Sequence, residues 1–515
     1  MKKIWILILL IATVCLLSAC QTTPPVDPQE SETESLATET EEILETRTIF
    51  VDGQSAKKIP EKGNYVVYVK SEANEDFRTW NYDAWDTTIE DADATIYFFS
   101  VDKLYPSFVE MKKDAATLSV GAVVGTMSYH ADTGRGAGVY EITAQKENAG
   151  SLIFATGKYA TPKPFAVGGD KIITVDQLGA RADGKTSDLA AIGNAFAMKD
   201  VTVIEFEGKD YVQTGKLLLS GVHDKLINGR GAVISNDYAK GTVIWQDVVI
   251  DGRTSNLTLK NITLRCTETE GKGTLFQNND HVQLYIGRSD DITLDNVTIE
   301  TPNNTTNDRH VTSIWIQDSC NNITIQNSKI VNLSKSTVGG GIWVSKSNNI
   351  KLLNNHIEKA SHDEVLAIFN GNVDNVLIEG NFIYTHDEPN DRASAHAIGF
   401  GVNLESERAF LYTNIVFREN KVDVVAWKDA FMFGNVDGVE MCDNEIILRQ
   451  NSAAQPVENA VFRVPDTTTV QKNVMIYNNI ITVYNSKTIP LTESCDKGFD
   501  IFDNDVAFEK WTATE

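Results

Sequence analysis

A short stretch of alternating apolar and polar positions recurs along the second half of the chain. Its copies start 24 to 39 residues apart, at Leu257, Ile292, Ile323, Ile350, Val376, Ile415, Val439, Val474 and Phe499. The alternation predicts a short strand with one face buried. A minimum spacing near 25 residues with occasional insertions is typical of a coil that repeats and carries loops. The pattern therefore predicts a mostly β solenoid of stacked parallel strands.

Asparagine recurs near the end of each copy, as in Asn354–Asn355 and at Asn381. Asparagine tolerates the left-handed backbone conformation at a tight corner and bonds to neighbouring backbone. When coils stack, such side chains can form a ladder. We therefore interpret these asparagines as part of the scaffold.

Each coil also carries a second strand, seen most clearly in Ser313–Ile316, Gly341–Val344, Leu366–Phe369 and Phe431–Phe433. Alternation sends one set of side chains inward: Leu284, Ile286, Ile314, Ile316, Ile342, Val344, Leu366 and Ile368. The opposite set then forms an outward aromatic column on consecutive coils, which would suit stacking on sugar rings: Tyr285, Trp315, Trp343 and Phe369. An inserted loop that covers the column is the alternative.

The N-terminal residues have the composition of a targeting segment and a tether. Lys2 and Lys3 precede an apolar run that ends in Leu17–Cys20, which resembles the lipobox of bacterial lipoproteins. The resemblance implies cleavage before Cys20, lipid attachment to its sulfur and anchoring to the outside of the cell envelope. A plain secretory signal is the alternative. Residues 20–47 are rich in Pro, Glu, Ser and Thr, so we expect a disordered acidic tether.

The division of the chain follows from these patterns. The predicted parts are a signal peptide (1–19), the tether (20–47), a small β-rich domain (48–115), a Gly-rich segment with a capping helix and the first coils (116–250), the solenoid (251–510) and a tail (511–515). The helix is expected over Leu189–Met198, with Ser187 or Asp188 as its N-cap.

The second part contains a motif that resembles a known family. Residues Val175–Ile192 are similar to the N-terminal motif of pectate-lyase-like right-handed parallel β-helix proteins, with one extra residue between Asp176 and Gly179. That superfamily includes pectinolytic hydrolases, polysaccharide lyases and phage tailspike depolymerases. The resemblance implies a right-handed parallel β-helix that acts on a polysaccharide. The trimeric state of tailspikes is not carried over, and we expect a monomer.

The charge and the cysteines exclude several classes of protein. The 515-residue chain has a net charge of −25 and a pI near 4.8, which disfavours nucleic acid as a partner. The cysteines at positions 266, 320, 442 and 495 form no Cys-x-x-Cys pair, so neither a metal nor a disulfide framework is expected. No cofactor is expected, although acidic residues in the insertion between Ile383 and Ile415 leave Ca²⁺ possible.

Ionisable residues precede the second strand of several coils. Counting back from the inward residues aligns Asp280, His310, Glu364, His396 and Asp429 in one row. Strict alternation sends this row inward and sends Arg309, Asp363 and Lys428 outward. Since unpaired buried charge is costly, either the chain turns here or the outward set is the functional one. A solvated edge without function is a further alternative.

The row suggests a chemistry. Glu364 and Asp429 lie two coils apart, about 9.6 Å between backbones, with His396 between them. Inverting glycosidases hold their carboxyl groups about 6.5–9.5 Å apart. We therefore predict a glycoside hydrolase with Glu364 and Asp429 as acid and base, and His396 as the group that orients one of them.

The remaining candidates are assigned to the substrate. The predicted substrate-binding residues are Asp363, Lys428, Arg309 and His310, together with the aromatic column. A lyase with Lys428 as base and a non-catalytic glycan-binding or adhesion protein are the two rival hypotheses.

Overall fold

The computed structural model describes most of the chain from residue 48 onward. The described residues are 48–57, 60, 63–71, 76–81, 94–155, 157–237, 246–267, 280–301, 310–334, 339–360, 364–386, 396–401, 409–426, 429–450, 460–464, 468–484, 490–495 and 497–509. The predicted signal, Cys20 and the tether lie outside them. Within these ranges, neither helix is long and apolar enough to cross a membrane.

Two small sheets precede the solenoid. The first sheet contains Thr48–Val51, Gln54–Ala56, Tyr65–Ser71, Asp76–Asn81 and Thr95–Ser100. The second sheet contains Lys103–Tyr105, Val123–Thr126, Gly138–Thr143, Leu152–Ala155 and Lys158–Lys163, and the short helix Phe108–Lys113 packs on it. The second sheet thus begins at Lys103 and continues past residue 115, where the sequence suggested a boundary. Tyr68 of the first sheet and Val203 of the solenoid share one apolar cluster, which fastens the first sheet to the solenoid.

The solenoid is built from two long sheets. The ten-stranded sheet contains one strand per coil: Leu217–Ser220, Gln246–Asp251, Asp280–Gly287, His310–Gln317, Ile342–Val344, Leu366–Ile368, His396–Phe400, Asp429–Phe433, Phe462–Arg463 and Thr492–Glu493. The twenty-two-stranded sheet contains the others: Phe165–Val167, Asp170–Thr174, Asp183–Ser187, Val203–Glu205, Asp210–Gln213, His223–Asn236, Ser255–Arg265, Asp290–Thr301, Asn321–Gln326, Lys329–Asn332, Asn348–Leu353, His356–Lys359, Val373–Glu379, Phe382–Thr385, Tyr412–Arg418, Lys421–Ala426, Val436–Cys442, Glu445–Gln450, Gln471–Tyr477, Ile480–Tyr484, Phe499–Phe502 and Asp505–Glu509. Apart from the Phe165–Val167 edge strand, which pairs antiparallel, these strands pair in parallel. The architecture is a right-handed parallel β-helix.

The register confirms the repeat read from the sequence. All nine predicted repeat starts pair in an unbroken series of adjacent strands, from Leu257 with Ile292 to Val474 with Phe499. The eight residues predicted to point inward from the ten-stranded sheet are buried. Stacked aliphatic side chains therefore fill the interior of the coil.

The asparagine ladder is also confirmed. Its rungs are Asn355, Asn381, Asn420, Asn444, Asn479 and Asn504. The Asn381 Oδ1 accepts from the backbone N–H of Asn355 at 2.9 Å, and its amide donates to the Leu352 carbonyl at 2.8 Å. The residue before each rung takes the left-handed conformation, as Asn354 does with φ of 54°. The two asparagines of a pair thus have different tasks: one makes the corner and the next joins the coils.

The capping helix forms at Leu189–Ala197, but its start differs from the prediction. Neither Ser187 nor Asp188 caps it through a side chain. The Asp188 carboxylate instead accepts from the backbone N–H groups of Arg181, Ala182 and Val212 at 2.7, 3.3 and 3.1 Å. It therefore ties the turn before the helix to the first coil. The helix buries its apolar face against that coil and so covers the open end.

Candidate functional site

The predicted aromatic column lies on the outer face of the ten-stranded sheet. Tyr285 pairs with Trp315, and Trp315 pairs with Trp343 on the next strand. The fourth member is different, because Trp343 pairs with Ala367 and Phe369 lies two residues further along. Phe369 therefore does not share the register position of the other three. A strand of only three residues, Leu366–Ile368, ends before it.

The rings nevertheless form one cluster. The centroid of Phe369 lies 5.0 Å from that of Trp343 and 6.4 Å from that of Trp315, and the two indoles are 5.6 Å apart, edge to face. Such contacts contribute beyond simple burial. Tyr285 and Trp343 are only 9% and 8% exposed, whereas Trp315 and Phe369 are half-buried. The cluster therefore presents two partly open rings.

The polar atoms of the cluster differ in their partners. The Tyr285 hydroxyl donates to Asp318 at 3.0 Å, and the Trp315 Nε1 donates to the Ser345 hydroxyl at 3.2 Å. Among the described residues, the buried Nε1 of Trp343 has no hydrogen-bond acceptor. A buried donor without an acceptor costs about 1–3 kcal/mol.

The predicted row of ionisable residues separates into two rows. Asp280 pairs with His310 on adjacent strands, and His396 pairs with Asp429. Asp280 and His310 lie four residues before the inward residues Leu284 and Ile314. His396 and Asp429 lie only two residues before the corresponding inward residues of their strands, Ile398 and Phe431. Alignment of all five residues in one row is therefore wrong. Glu364 belongs to the second row, because it lies two residues before Leu366, just as His396 lies two residues before Ile398, the residue that pairs with Leu366.

The second row brings Glu364, His396 and Asp429 onto three consecutive coils. Glu364 is 6% exposed and Asp429 is fully buried. The Asp429 Oδ1 accepts from the backbone N–H of Ala460 at 3.1 Å, and its Oδ2 lies 3.5 Å from the guanidinium of Arg463. For His396 the structure describes only the backbone position.

Arg463 and Glu493 lie outside this row but approach Asp429, a contact that sequence reasoning missed. They pair in register on the last two strands of the ten-stranded sheet, and the Arg463 Nε lies 3.2 Å from the Glu493 carboxylate. The alternating charges of Asp429, Arg463 and Glu493 compensate one another in a largely buried setting. The signal was weak because these strands are only two residues long.

A glycine connects the aromatic cluster to the second row. Ile342 pairs with Leu366. Gly340 and Glu364 lie two residues before these partners, so Gly340 occupies the position beside Glu364. A Cβ atom at Gly340 would collide with the indole Nε1 of Trp343. The indole therefore lies over the backbone at this position, directed towards the row.

Several predicted site residues fall outside the described part of the chain. These are Arg309, Asp363 and Lys428, and only the backbone of His310 is described. Of the insertion after Ile383, His386 is described, and its Nε2 lies 2.7 Å from Glu358 on the twenty-two-stranded sheet. It therefore belongs to a different face from the aromatic cluster.

Comparison with known proteins gives similarity in structure only. No protein-family model matches the chain, and no curated protein sequence matches it significantly. Similar solved structures include PfbA, a surface adhesin of Streptococcus pneumoniae, at 15% identity and a TM-score of 0.43, covering 66% of this chain and 92% of that one.

Two other similar structures belong to proteins described as acting on polysaccharides. The A-module of the mannuronan C-5 epimerase AlgE4 of Azotobacter vinelandii is 15% identical, with a TM-score of 0.36 over 66% of this chain and 97% of that one. The tailspike gp49 of Acinetobacter baumannii bacteriophage Fri1, a capsular polysaccharide depolymerase, is 11% identical, with a TM-score of 0.44 over 79% and 74%. Similarity at this level does not assign a substrate or a reaction.

Proposed function

We propose that this chain is an exported polysaccharide-degrading enzyme, a glycoside hydrolase that works in a cleft along one face of the β-helix. The observation that carries the proposal is the register. It sets Glu364, His396 and Asp429 on three consecutive coils, with the Trp343 indole directed towards the same row across Gly340. A carboxyl pair beside aromatic rings provides both the chemistry and the binding surface that glycan hydrolysis requires.

The proposed reaction uses the two carboxyl groups as acid and base. The coils that carry them are separated by one intervening coil, about 9.6 Å between backbones. This separation is near the range of about 6.5–9.5 Å in which a water fits between the carboxyl groups of an inverting enzyme. One carboxyl group protonates the leaving glycosidic oxygen and the other activates the water. His396 orients one of them.

A non-catalytic glycan-binding protein is the second candidate. The observation that favours it is the burial of Asp429, whose carboxylate contacts the Ala460 N–H and the Arg463 guanidinium. The aromatic cluster does not depend on these contacts. The half-buried Trp315 and Phe369 would bind a glycan whether or not the row performs chemistry.

A glycan panel tests these candidates and the lyase together. The purified chain is incubated with plant, capsular and bacterial cell-wall polysaccharides. New reducing ends without ultraviolet absorbance support a hydrolase, whereas new ends with the absorbance of unsaturated uronates support the lyase, for which Lys428 is the proposed base. Retention on a glycan without new ends supports a binding protein. Neither cleavage nor retention on any glycan would contradict all three.

The proposed location is the outside of the bacterial cell envelope, with the lipid-modified Cys20 as the membrane anchor and the chain as a monomer. The support is the sequence of residues 1–47 alone. Metabolic labelling with a fatty-acid analogue tests the anchor: label that persists in a Cys20→Ser variant would contradict it.

A further inference from the structure

A buried polar column follows one corner of the β-helix, where the twenty-two-stranded sheet passes into the ten-stranded sheet. Register puts one inward polar side chain per coil at this corner: Gln213, Asn236, Cys266, Thr301, Asn332, Lys359 and Thr385. Buried polar groups require partners. Six members of the column are amide, hydroxyl or ammonium groups, and one is a thiol.

At the thiol, two further side chains converge. Asp247 is the second residue of strand Gln246–Asp251, and His281 is the second residue of strand Asp280–Gly287. The Cys266 sulfur, an Asp247 carboxylate oxygen and a His281 ring nitrogen all lie within 4.8 Å of one another. The three residues come from separate segments and meet only because the coil closes.

We propose that Asp247, Cys266 and His281 form a binding site for a Zn²⁺-class transition-metal ion, which joins the first coils of the β-helix. Thiolate, imidazole and carboxylate together are ligands that Zn²⁺ accepts, whereas Ca²⁺ and Mg²⁺ prefer oxygen ligands alone. In a tetrahedral site with Zn–N and Zn–O bonds of about 2.0–2.2 Å, adjacent N and O ligands are ~3.3 Å apart. The His281 Nε2 lies 3.2 Å from the Asp247 Oδ2.

Neighbouring amides hold the ligands in place. The Asn236 side chain donates to the Asp247 Oδ2 at 3.0 Å, and its own Oδ1 accepts from the Thr267 backbone N–H at 2.8 Å. The Gln213 amide donates to the Asp247 carbonyl at 3.4 Å. Such outer partners orient metal ligands and tune their affinity.

Burial assigns the site a structural role. Asp247, Cys266 and His281 are 3%, 2% and 1% exposed, respectively. A metal held by these three buried side chains would link chain segments and add its binding energy to folding. The site is also independent of the proposed glycan chemistry, because it uses none of the same residues.

Titration of the chelator-treated full chain with Co²⁺ tests the proposal. We expect one equivalent to bind, with tetrahedral d–d bands and a thiolate-to-Co²⁺ charge-transfer band, and Zn²⁺ to displace it and raise the melting temperature. Cys266→Ser removes the charge-transfer band. Cys320→Ser is the matched control, since Cys320 is also a buried thiol, donating to the carbonyls of Gln317 and Ile286 at 3.2 and 3.4 Å.

Three results would overturn the proposal: no bound equivalent in the wild-type chain, a charge-transfer band that persists in Cys266→Ser, or a band lost in Cys320→Ser. If Cys266→Ser does not fold, the absence of a bound equivalent in the wild-type chain still overturns the proposal. A milder variant, Asn236→Ala, leaves all three ligands in place and is expected to weaken Zn²⁺ binding by about 10–100-fold. Unchanged affinity in that variant would contradict the role given to Asn236.

Discussion

Replacement of Asn381 by alanine removes an interior rung of the asparagine ladder. Its Oδ1 accepts from the Asn355 backbone N–H at 2.9 Å and from the Asn355 amide at 3.0 Å. Its own amide donates to the carbonyls of Leu352 and Glu379 at 2.8 and 3.1 Å and to the Asn420 Oδ1 at 3.0 Å. The substitution therefore removes five hydrogen-bonding contacts inside a corner that water does not reach.

The magnitude follows from what is left unpaired. The Asn355 N–H loses its acceptor while buried, which costs about 1–3 kcal/mol. The other lost bonds have net values of about 0.5–1.5 kcal/mol each, and some of their partners keep a second bond, as Asn355 does with the Ile325 carbonyl. We expect Asn381→Ala to lower the free energy of unfolding by about 4 kcal/mol.

Asn504→Ala provides the matched control. Asn504 is the last described rung and makes the same kinds of bond to the Asn479 N–H and the Ile476 carbonyl, but in a partly exposed position. Water can replace its contacts, so a loss of about 1 kcal/mol is expected. Because solenoids do not always unfold in one step, denaturant titrations are followed by both circular dichroism and amide exchange at Asn355. Equal losses for the two variants, or a loss below about 1 kcal/mol for Asn381→Ala, would refute the reasoning.

Two further predictions concern charge and the aromatic cluster. Burial, followed by the neighbouring charge of Glu207, raises the pKa of Asp176 to about 8, so its contribution to stability is present at low pH and is lost as the pH rises from about 4 to about 8. Asp176→Asn should therefore reduce the fall in melting temperature over that pH interval. An unchanged fall in the variant would contradict this prediction. Trp315→Ala should weaken glycan retention by about 3- to 10-fold through the loss of ring contacts. The control Phe502→Ala removes an exposed ring stacked on Tyr477 of the twenty-two-stranded sheet and should leave glycan retention unchanged. Similar losses of retention in both variants on affinity gels would contradict the assignment of the binding face.

The sequence predicted the β-helix because its repeat is a local signal. Each copy carries its own alternation and its own asparagine corner, so aligning copies such as Ile350 and Val376 also aligned their strands. The inward residues of the ten-stranded sheet followed from the same parity. Local alternation and stacking thus contain most of the fold.

The site was less accessible to sequence reasoning, because it depends on where each strand of the ten-stranded sheet begins. Counting back from the wrong inward residue placed His310 in the row of Glu364, although the register separates them by two positions. The same uncertainty displaced Phe369, which follows its strand instead of lying within it.

Contacts between distant segments were beyond the reach of local patterns. Asp188 was a natural helix cap by position, yet its carboxylate bonds to Val212 on a neighbouring strand. Cys266 appeared isolated because a motif search requires ligands at short spacing. Its neighbours Asp247 and His281 are 19 and 15 residues away along the chain and meet it only at the corner of the coil.

The most direct test of the proposed function is the release of reducing ends from the glycan identified by the panel, compared between wild type and the amide variants Glu364→Gln and Asp429→Asn. Glu379→Gln is the control, since Glu379 is a carboxylate on the twenty-two-stranded sheet that pairs with Arg418. The account predicts that both amide variants remain folded, with at least a ~100-fold lower rate, and that the control keeps wild-type activity. Full activity in Glu364→Gln and Asp429→Asn would contradict the assignment of the two carboxyl groups.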